Sequence, residues 1–272
     1  MQAFLAKRGQ RAAAPADGRP SRCRLDSGYP KMAANPLITE TSGQNQPDAL
    51  AGGFYTVQEA ARILRIPSTR RVRGWVAGYA GGAPVLAVDH APLAGKLALS
   101  FWDLIEVRFL EYFRAEGVPL QTLRKIAMRA RADLSTRHPF AIGNARFVSD
   151  RKHIFAVVAK EEHDITTLNM ATSQYEMYEA IEQSLAEGVV FDPASGLAQR
   201  LQPVPEYANV FVHPRMAFGH PVIGPKGIPT AALMRMWKAE GGNTDRVARL
   251  YDTTPETVME AVAFERALAL AA

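Results

Sequence analysis

Tyr55-Thr-Val-Gln-Glu59-Ala-Ala-Arg-Ile-Leu64-Arg-Ile-Pro67-Ser-Thr-Arg70-Arg-Val-Arg-Gly-Trp75-Val-Ala-Gly-Tyr79 reads as two helices joined by a tight turn. Thr56 and Glu59 form a Thr-x-x-Glu capping box, in which the hydroxyl takes one free amide at the helix start and the carboxylate returns to another. Ala60, Ile63 and Leu64 recur at helical spacing, which predicts one apolar face. Pro67 lacks an amide hydrogen and restrains Ile66 before it, so the first helix is expected to stop there. Ser68 suits the N-cap of a second helix. The inward residues of that helix are expected to be Val72, Trp75, Val76 and Tyr79, which leaves Ser68, Thr69, Arg70, Arg71 and Arg73 outside.

A second helix that presents cations and hydroxyls suits the major groove of DNA. Arginine meets phosphates there, and arginine, serine and threonine reach base edges. A plain surface hairpin would also tolerate arginine, a good helix former. The capping box, the proline break and a one-signed face occur together, however. From Thr56 to Tyr79, five arginines stand against Glu59 alone, a net of +4. The candidate DNA-binding residues are Thr56, Ser68, Thr69, Arg70, Arg71 and Arg73, with Lys96 from the segment behind them.

The chain of 272 residues is 47% hydrophobic and 22% charged, as expected of a globular protein of one large or two small domains. No apolar run approaches the roughly 20 residues of a membrane span. Its single cysteine, Cys23, excludes an internal disulfide and a multi-cysteine zinc site, and fits a reducing, cytoplasmic setting. The net charge of +5 is a poor guide to partners. Residues 1–31 hold seven lysines and arginines against Asp17 and Asp26, which is the whole excess.

The expected fold class is mainly α with small β. Residues 1–53 are rich in alanine, proline, glycine and arginine without periodicity. They read as a disordered tail or an over-extended start, with Met32 as an alternative first residue to Met1. A winged helix-turn-helix is expected over 54–137. Residues 85–89 and 96–99 form its hairpin wing. Ser100 caps a helix with the stripe Phe101, Leu104, Ile105, Phe109, Leu110 and Phe113. Beyond Gly117-Val-Pro119, a further helix runs from Leu120 to about Leu134, with Leu123, Ile126, Ala127 and Ala130 inward and Arg124, Lys125, Arg129 and Arg131 on a solvated face.

Residues 138–205 read as a mixed connector: a hairpin from 145–148 and 153–158, a strand at 166–171, a helix from Ser173 to about Glu187, and a strand at 188–191. Acidic residues outnumber basic ones there, so this part is not expected along DNA. Residues 206–272 read as a small three-helix domain behind a glycine- and proline-rich loop at 218–230. Its helices are expected at 231–239, 245–251 and 255–269, capped by Thr244 and Thr254, with Pro255 at the first helical position. Leu233, Met236, Trp237, Val247, Ala248, Leu250, Val258, Ala261, Val262 and Phe264 form the predicted core.

The stretch from Tyr55 to about Leu134 resembles the winged-helix domain of the MerR family of transcription regulators. The Tyr-Thr-x-x-Glu-Ala-Ala start, Trp75 with Tyr79, and the x-Phe-x-x-Glu-Gly-Val-Pro-Leu-x-x-Leu-Arg run at 112–124 carry the likeness. The metal-binding cysteines of the MerR sensors and their long dimerisation helix are missing, so metal sensing is not carried over. The last stretch resembles a module catalogued as domain-of-unknown-function family 433. It has His213-Pro-x-x-x-x-Gly219-x-Pro-Val-Ile223, then Gly227-Ile-Pro-Thr230, then helices ending Ala261-x-x-Phe264-Glu265. Pro225-Lys226-Gly227 stands where many members carry Gly-Thr-Arg.

Together, residues from Tyr55 onward look like a VapB-type antitoxin of a type II toxin–antitoxin pair. The resemblance implies a protein that silences a PIN-like ribonuclease toxin and represses its own operon, with a palindromic operator calling for a homodimer. A MerR-like regulator without a toxin, its C-terminal domain dimerising or sensing a ligand, is the alternative. The carboxylate-lined metal site of such a nuclease makes Arg215, Lys226, Arg235 and Lys238 the candidate toxin-binding residues. No nucleophile elbow, phosphate loop or paired histidine–glutamate motif is present, so neither catalysis nor a cofactor is expected. No metal site is expected either, because His213, His220 and Asp252 lack ligand spacing.

Overall fold

A computed structural model describes residues 52–79, 82–92, 95–143, 154–155, 157–158, 160–161, 163 and 188–270. The described residues are mainly helical, with three small antiparallel sheets among them. β1 (Tyr55–Thr56) leads into α1 (Val57–Ile63), and α2 (Thr69–Ala77) follows a short turn. The expected capping box is formed: the Thr56 hydroxyl accepts from Glu59 N–H at 3.1 Å, and the Glu59 carboxylate accepts from Thr56 N–H at 2.8 Å. β2 (Ala98–Leu99) pairs with β1 and precedes α3 (Phe101–Ala115) and α4 (Leu120–Asp133). Ser100 caps α3 through a second capping box, closed by Asp103. α3 is buried on more than its apolar stripe, since Asp103, Glu106 and Val107 are also inside. The inward residues of α4 are those expected, with Thr122 added.

The hairpin wing is a correction. Residues 85–89 are not a strand, and β2 pairs with β1 instead. The amides of Val85 and Leu86 both donate to the Trp75 carbonyl at the end of α2, at 2.8 and 3.1 Å. Arg131 donates to the Val85 carbonyl at 2.8 Å, and Arg137 to that of Val88. These backbone groups are engaged by neighbouring helices and arginines, which leaves them unavailable for a ladder. Arg131 accordingly leaves the solvated face predicted for it. Tyr79 is a second correction: it is 39% exposed, and its ring lies across Gly74, where an added Cβ would meet it at 2.1 Å.

Ile154, Phe155, Val157 and Val158 are helical, not the predicted strand. Phe155 packs on Phe109 and Phe113, and Ile154, Phe155 and Val158 share a buried helical face. The expected elements at 145–148, 166–171 and 173–187 lie outside the described residues. β3 (Val189–Phe191) pairs with an unanticipated β4 (Ala198–Leu201), and both pack on the same core as α1 to α4.

A second core belongs to the C-terminal helices, α5 (Thr230–Ala239), α6 (Thr244–Leu250) and α7 (Pro255–Leu270). The loop ahead of them folds as a three-stranded sheet of β5 (Val210–Phe211), β6 (Val222–Ile223) and β7 (Ile228–Pro229). Asn243 caps α6 where Thr244 was expected, while Thr254 accepts from Thr257 N–H as predicted. Leu250 is 57% exposed rather than buried, and Met236 and Trp237 are half-buried. Among the described residues, no helix is long and apolar enough to cross a membrane.

The two cores are joined by polar contacts. The Tyr55 hydroxyl donates to the Gly219 carbonyl at 2.7 Å, and Phe54 N–H to the Phe218 carbonyl at 3.2 Å. Glu265, buried on α7, accepts from Arg62 of α1 at 3.1 Å and from the Thr230 hydroxyl at 2.6 Å. That hydroxyl also lies 3.2 Å from the Pro221 carbonyl. Thr230→Val removes the hydroxyl with little change of shape. It is expected to lower unfolding free energy by about 1–3 kcal/mol, since it leaves buried acceptors short of a donor; urea denaturation at fixed pH measures this.

Candidate nucleic-acid interface

The turn between α1 and α2 is a complete Schellman motif. Arg65 N–H donates to the Arg62 carbonyl at 3.1 Å and Ile66 N–H to the Ala61 carbonyl at 2.8 Å, which together close the last turn of α1. Ile66 then buries its side chain beside that turn. The residue in the left-handed position is Arg65, with φ of 54°, where glycine is usual. An L-residue there costs about 1–2 kcal/mol. Ser68 starts α2, its hydroxyl accepting from Arg71 N–H at 3.3 Å.

α2 presents Thr69, Arg70, Arg71 and Arg73 to solvent, with Ser68 half-exposed, while Val72, Trp75 and Val76 anchor the opposite face. Thr56 is exposed, but its hydroxyl is engaged in the capping box. Lys96 is exposed just ahead of β2. Among the described residues, no carboxylate pairs with Arg65, Arg70 or Arg73. Arg71 differs: its Nη1 lies 2.7 and 3.1 Å from the two oxygens of Glu111 on α3. Two features escaped the sequence reading. Arg65 was counted there only as charge, and its left-handed position marks it as part of the exposed set. Glu111 sits 40 residues from Arg71, beyond any local pattern.

The C-terminal cations are less uniform. Arg215, Arg235 and Lys238 are exposed, the last two on α5. Lys226 is tied to the carboxylate and the carbonyl of Asp252, and this holds the Asp252 carboxyl below its usual range. His213 is pushed down by burial and then by Arg215 and Arg200. Its Nδ1 accepts from Arg215 N–H at 3.1 Å, which fixes the bend after β5.

No family model matches the sequence. The chain is 25% identical over 228 residues to a Mycobacterium tuberculosis protein named "Putative antitoxin VapB45"; the match covers 77% of this chain and 92% of that one. It also resembles the crystal structure of Rv2018 from Mycobacterium tuberculosis, with a TM-score of 0.60 and 23% identity, over 76% of this chain and 96% of that chain. The likeness in structure is one of fold.

The Ser68 cap is a local device whose contribution is measurable. Ser68→Ala is expected to cost about 1 kcal/mol. Ser68→Asp, which accepts the same amide at a positive helix end, is expected to retain wild-type stability. Chemical denaturation of the two variants checks both.

Proposed function

We propose that this chain is a DNA-binding antitoxin that neutralises a PIN-like ribonuclease toxin and represses its own operon. The observation that carries the DNA-binding part is the arginine set on the capped second helix and its turn. Arg65, Arg70 and Arg73 project from a rigid, well-capped unit with no carboxylate partner among the described residues. Such a set reaches phosphates and guanine edges at low conformational cost. The antitoxin part is supported by similarity to a protein that bears that name, extending over nearly all of that protein's length.

In this reading, α2 lies in the major groove and a homodimer spans a palindromic operator. Thr69 and Ser68 flank the cations, and Lys96 meets a neighbouring phosphate. The left-handed Arg65 is kept at a cost in stability because it contacts DNA, and strained residues concentrate at such functional positions. The toxin is met by Arg215, Arg235 and Lys238 of the C-terminal module, which pair with acidic side chains of the nuclease. Lys226 pairs with the exposed Asp252 and would have to exchange that contact for one with the toxin.

Mobility shifts on the upstream region, at two or more salt concentrations, test the DNA contact. Arg70→Ala with Arg73→Ala is expected to abolish specific binding while circular dichroism stays unchanged, and to lower the log–log salt slope by about two. Arg65→Gly is expected to raise stability by about 1 kcal/mol through relief of the left-handed strain, and to weaken DNA binding. Unchanged operator affinity in both variants would remove α2 from the interface. Co-purification with the product of the adjacent open reading frame tests the partner. Charge reversal at Arg215, Arg235 and Lys238 is expected to release it, and retention in full would leave the DNA-binding regulator without a toxin as the better account.

A further inference from the structure

The segment 85–89 lies against the end of α2 through the Val85 and Leu86 amides, and a buried polar cluster pins its far end to α3. Asp103 and Glu106 are three residues apart on α3 and so share a face; both are fully buried. His138, 6% exposed, comes from the segment after α4. Asp89 ends the 85–89 segment, and its side chain keeps 15% of its exposure.

The imidazole sits between these carboxylates. Its Nε2 lies 2.8 Å from Asp89 Oδ1. On the other side, Nδ1 is 3.8 Å from Asp103 Oδ1 and 4.0 Å from Glu106 Oε2. Those last three atoms are buried and none has a hydrogen bond. The second oxygens are engaged: Asp103 Oδ2 accepts from Ser100 N–H at 2.8 Å and from Asp89 N–H at 3.1 Å, and Glu106 Oε1 accepts from Phe140 N–H at 3.2 Å. An ionised carboxylate only accepts, so Nε2 carries a proton toward Asp89. A neutral ring would then aim a lone pair at two further buried acceptors, with no donor among them. A second proton turns the same geometry into a cation flanked by three carboxylates. The other charges are placed to the side. Arg137 lies 3.2 Å from Asp89 Oδ1, and Arg131 of α4 acts on Glu106 while it donates to the Val85 carbonyl. His90, next to Asp89 in sequence, stacks on Phe54 instead.

We propose that protonated His138 is a pH-sensitive latch: its imidazolium joins Asp89 to Asp103 and Glu106, and loss of its proton frees the 85–89 segment from α3 and loosens the end of α2. Deprotonation leaves Asp103 and Glu106 as buried charges without the cation that faces them, and the segment that covers them opens to admit water. The electrostatics run the same way. Burial alone would lower His138, but the Asp89 bond and the charges of Glu106, Asp89 and Asp103 outweigh it and hold the ring above its usual value. Burial lifts Glu106 to about 7 and raises Asp103 too. Raised groups keep protons in the fold that the unfolded chain has released, so what they contribute is lost as pH rises. For Glu106 the loss runs from the ordinary 4.5 to about 7, and for His138 it begins at 6.5 and ends higher. Asp89 works in the opposite sense: burial opposes its charge, but His138 holds it below 3.8, so its contribution is present above that value and lost in acid. The latch depends on neither the DNA-binding nor the antitoxin reading.

NMR of the full-length chain follows the His138 ring nitrogens from pH 5 to 8.5. Both nitrogens are expected to be protonated at pH 6, with a midpoint above 6.5; a midpoint at or below 6.5 would overturn the latch. Amide exchange over the same range reads the opening. The protection factors of Val85, Leu86 and Asp89 are expected to fall relative to those of α3, by about tenfold for each pH unit between 6.5 and the measured His138 midpoint. Protection that tracks α3 throughout would also overturn it. Glu106→Gln keeps an acceptor for the Phe140 amide and is expected to lower the His138 midpoint and flatten the fall of the urea midpoint up to about pH 7. His138→Gln is expected to have a lower urea midpoint than wild type at pH 6, with the gap closing as pH rises. A gap that stays constant with pH would reduce His138 to a packing role and overturn the proposal; if this variant does not fold, the two wild-type measurements decide.

Discussion

Glu265 is the residue on which the arrangement of the two cores depends. Its carboxylate lies inside α7, where an unpaired charge would be costly, and it is met by Arg62 of α1 and the Thr230 hydroxyl at the start of α5. Tyr55 adds a second tie, 164 residues distant in sequence, by donating its buried phenol proton to the Gly219 carbonyl. Both ties act on the β1–α1 unit, and α1 is in turn locked to α2 by the Schellman turn. The direction in which α2 presents its arginines is therefore fixed relative to the C-terminal helices. Whatever binds one module without altering these ties meets the other in a set orientation.

α3 plays the corresponding part within the first core. Its apolar stripe packs the aromatic cluster of Phe109, Phe113, Phe140 and Phe155, while Asp103 and Glu106 on the same helix face inward and anchor backbone amides. The segment at 85–89, which would otherwise have been a free hairpin, is held by these groups: Trp75 takes two of its amides and Asp103 a third, and Arg131 and Arg137 take its carbonyls. Backbone hydrogen bonding is satisfied by side chains and helix ends, and the expected wing disappears for that reason.

The parts legible in the sequence are those set within a few residues. Thr56 with Glu59, Ser68, Ser100 and Pro255 each act over one helical turn, and each starts the helix predicted for it. The apolar periods of α3 and α4 gave their buried faces for the same reason. What was missed rests on distant partners. Residues 154, 155, 157 and 158 look like a strand by β-branched and aromatic content, and they are helical where Phe155 packs on α3. Tyr79 fits the helical spacing of the core, but α2 ends at Ala77 and the ring folds back over Gly74. Leu250 falls at the end of α6, past the face that α7 covers. In the candidate site, the exposed arginines were readable from composition and caps, whereas the strain at Arg65 and the Arg71–Glu111 pair depend on tertiary geometry.

That pair bears on whether the arginine face can engage a polyanion at all. Arg71 and Glu111 retain 43% and 27% of their side-chain exposure, so water screens the contact. Exposed pairs of this kind are worth about 0.2–1 kcal/mol, a factor of roughly five at most in an equilibrium. A DNA duplex offers a phosphate charge every 1.7 Å or so and releases counterions for each cation it meets, which is a larger driving force at moderate salt. In the proposed DNA-binding reading, Glu111 would thus compete with phosphate for one of four turn and helix arginines without closing the face. In that reading it would also act against wrong partners: with Arg71 held and oriented on the protein, nonspecific encounters would have one less free cation to engage, and the contact would be exchanged only where a groove brought a phosphate or a guanine edge within reach of the same guanidinium.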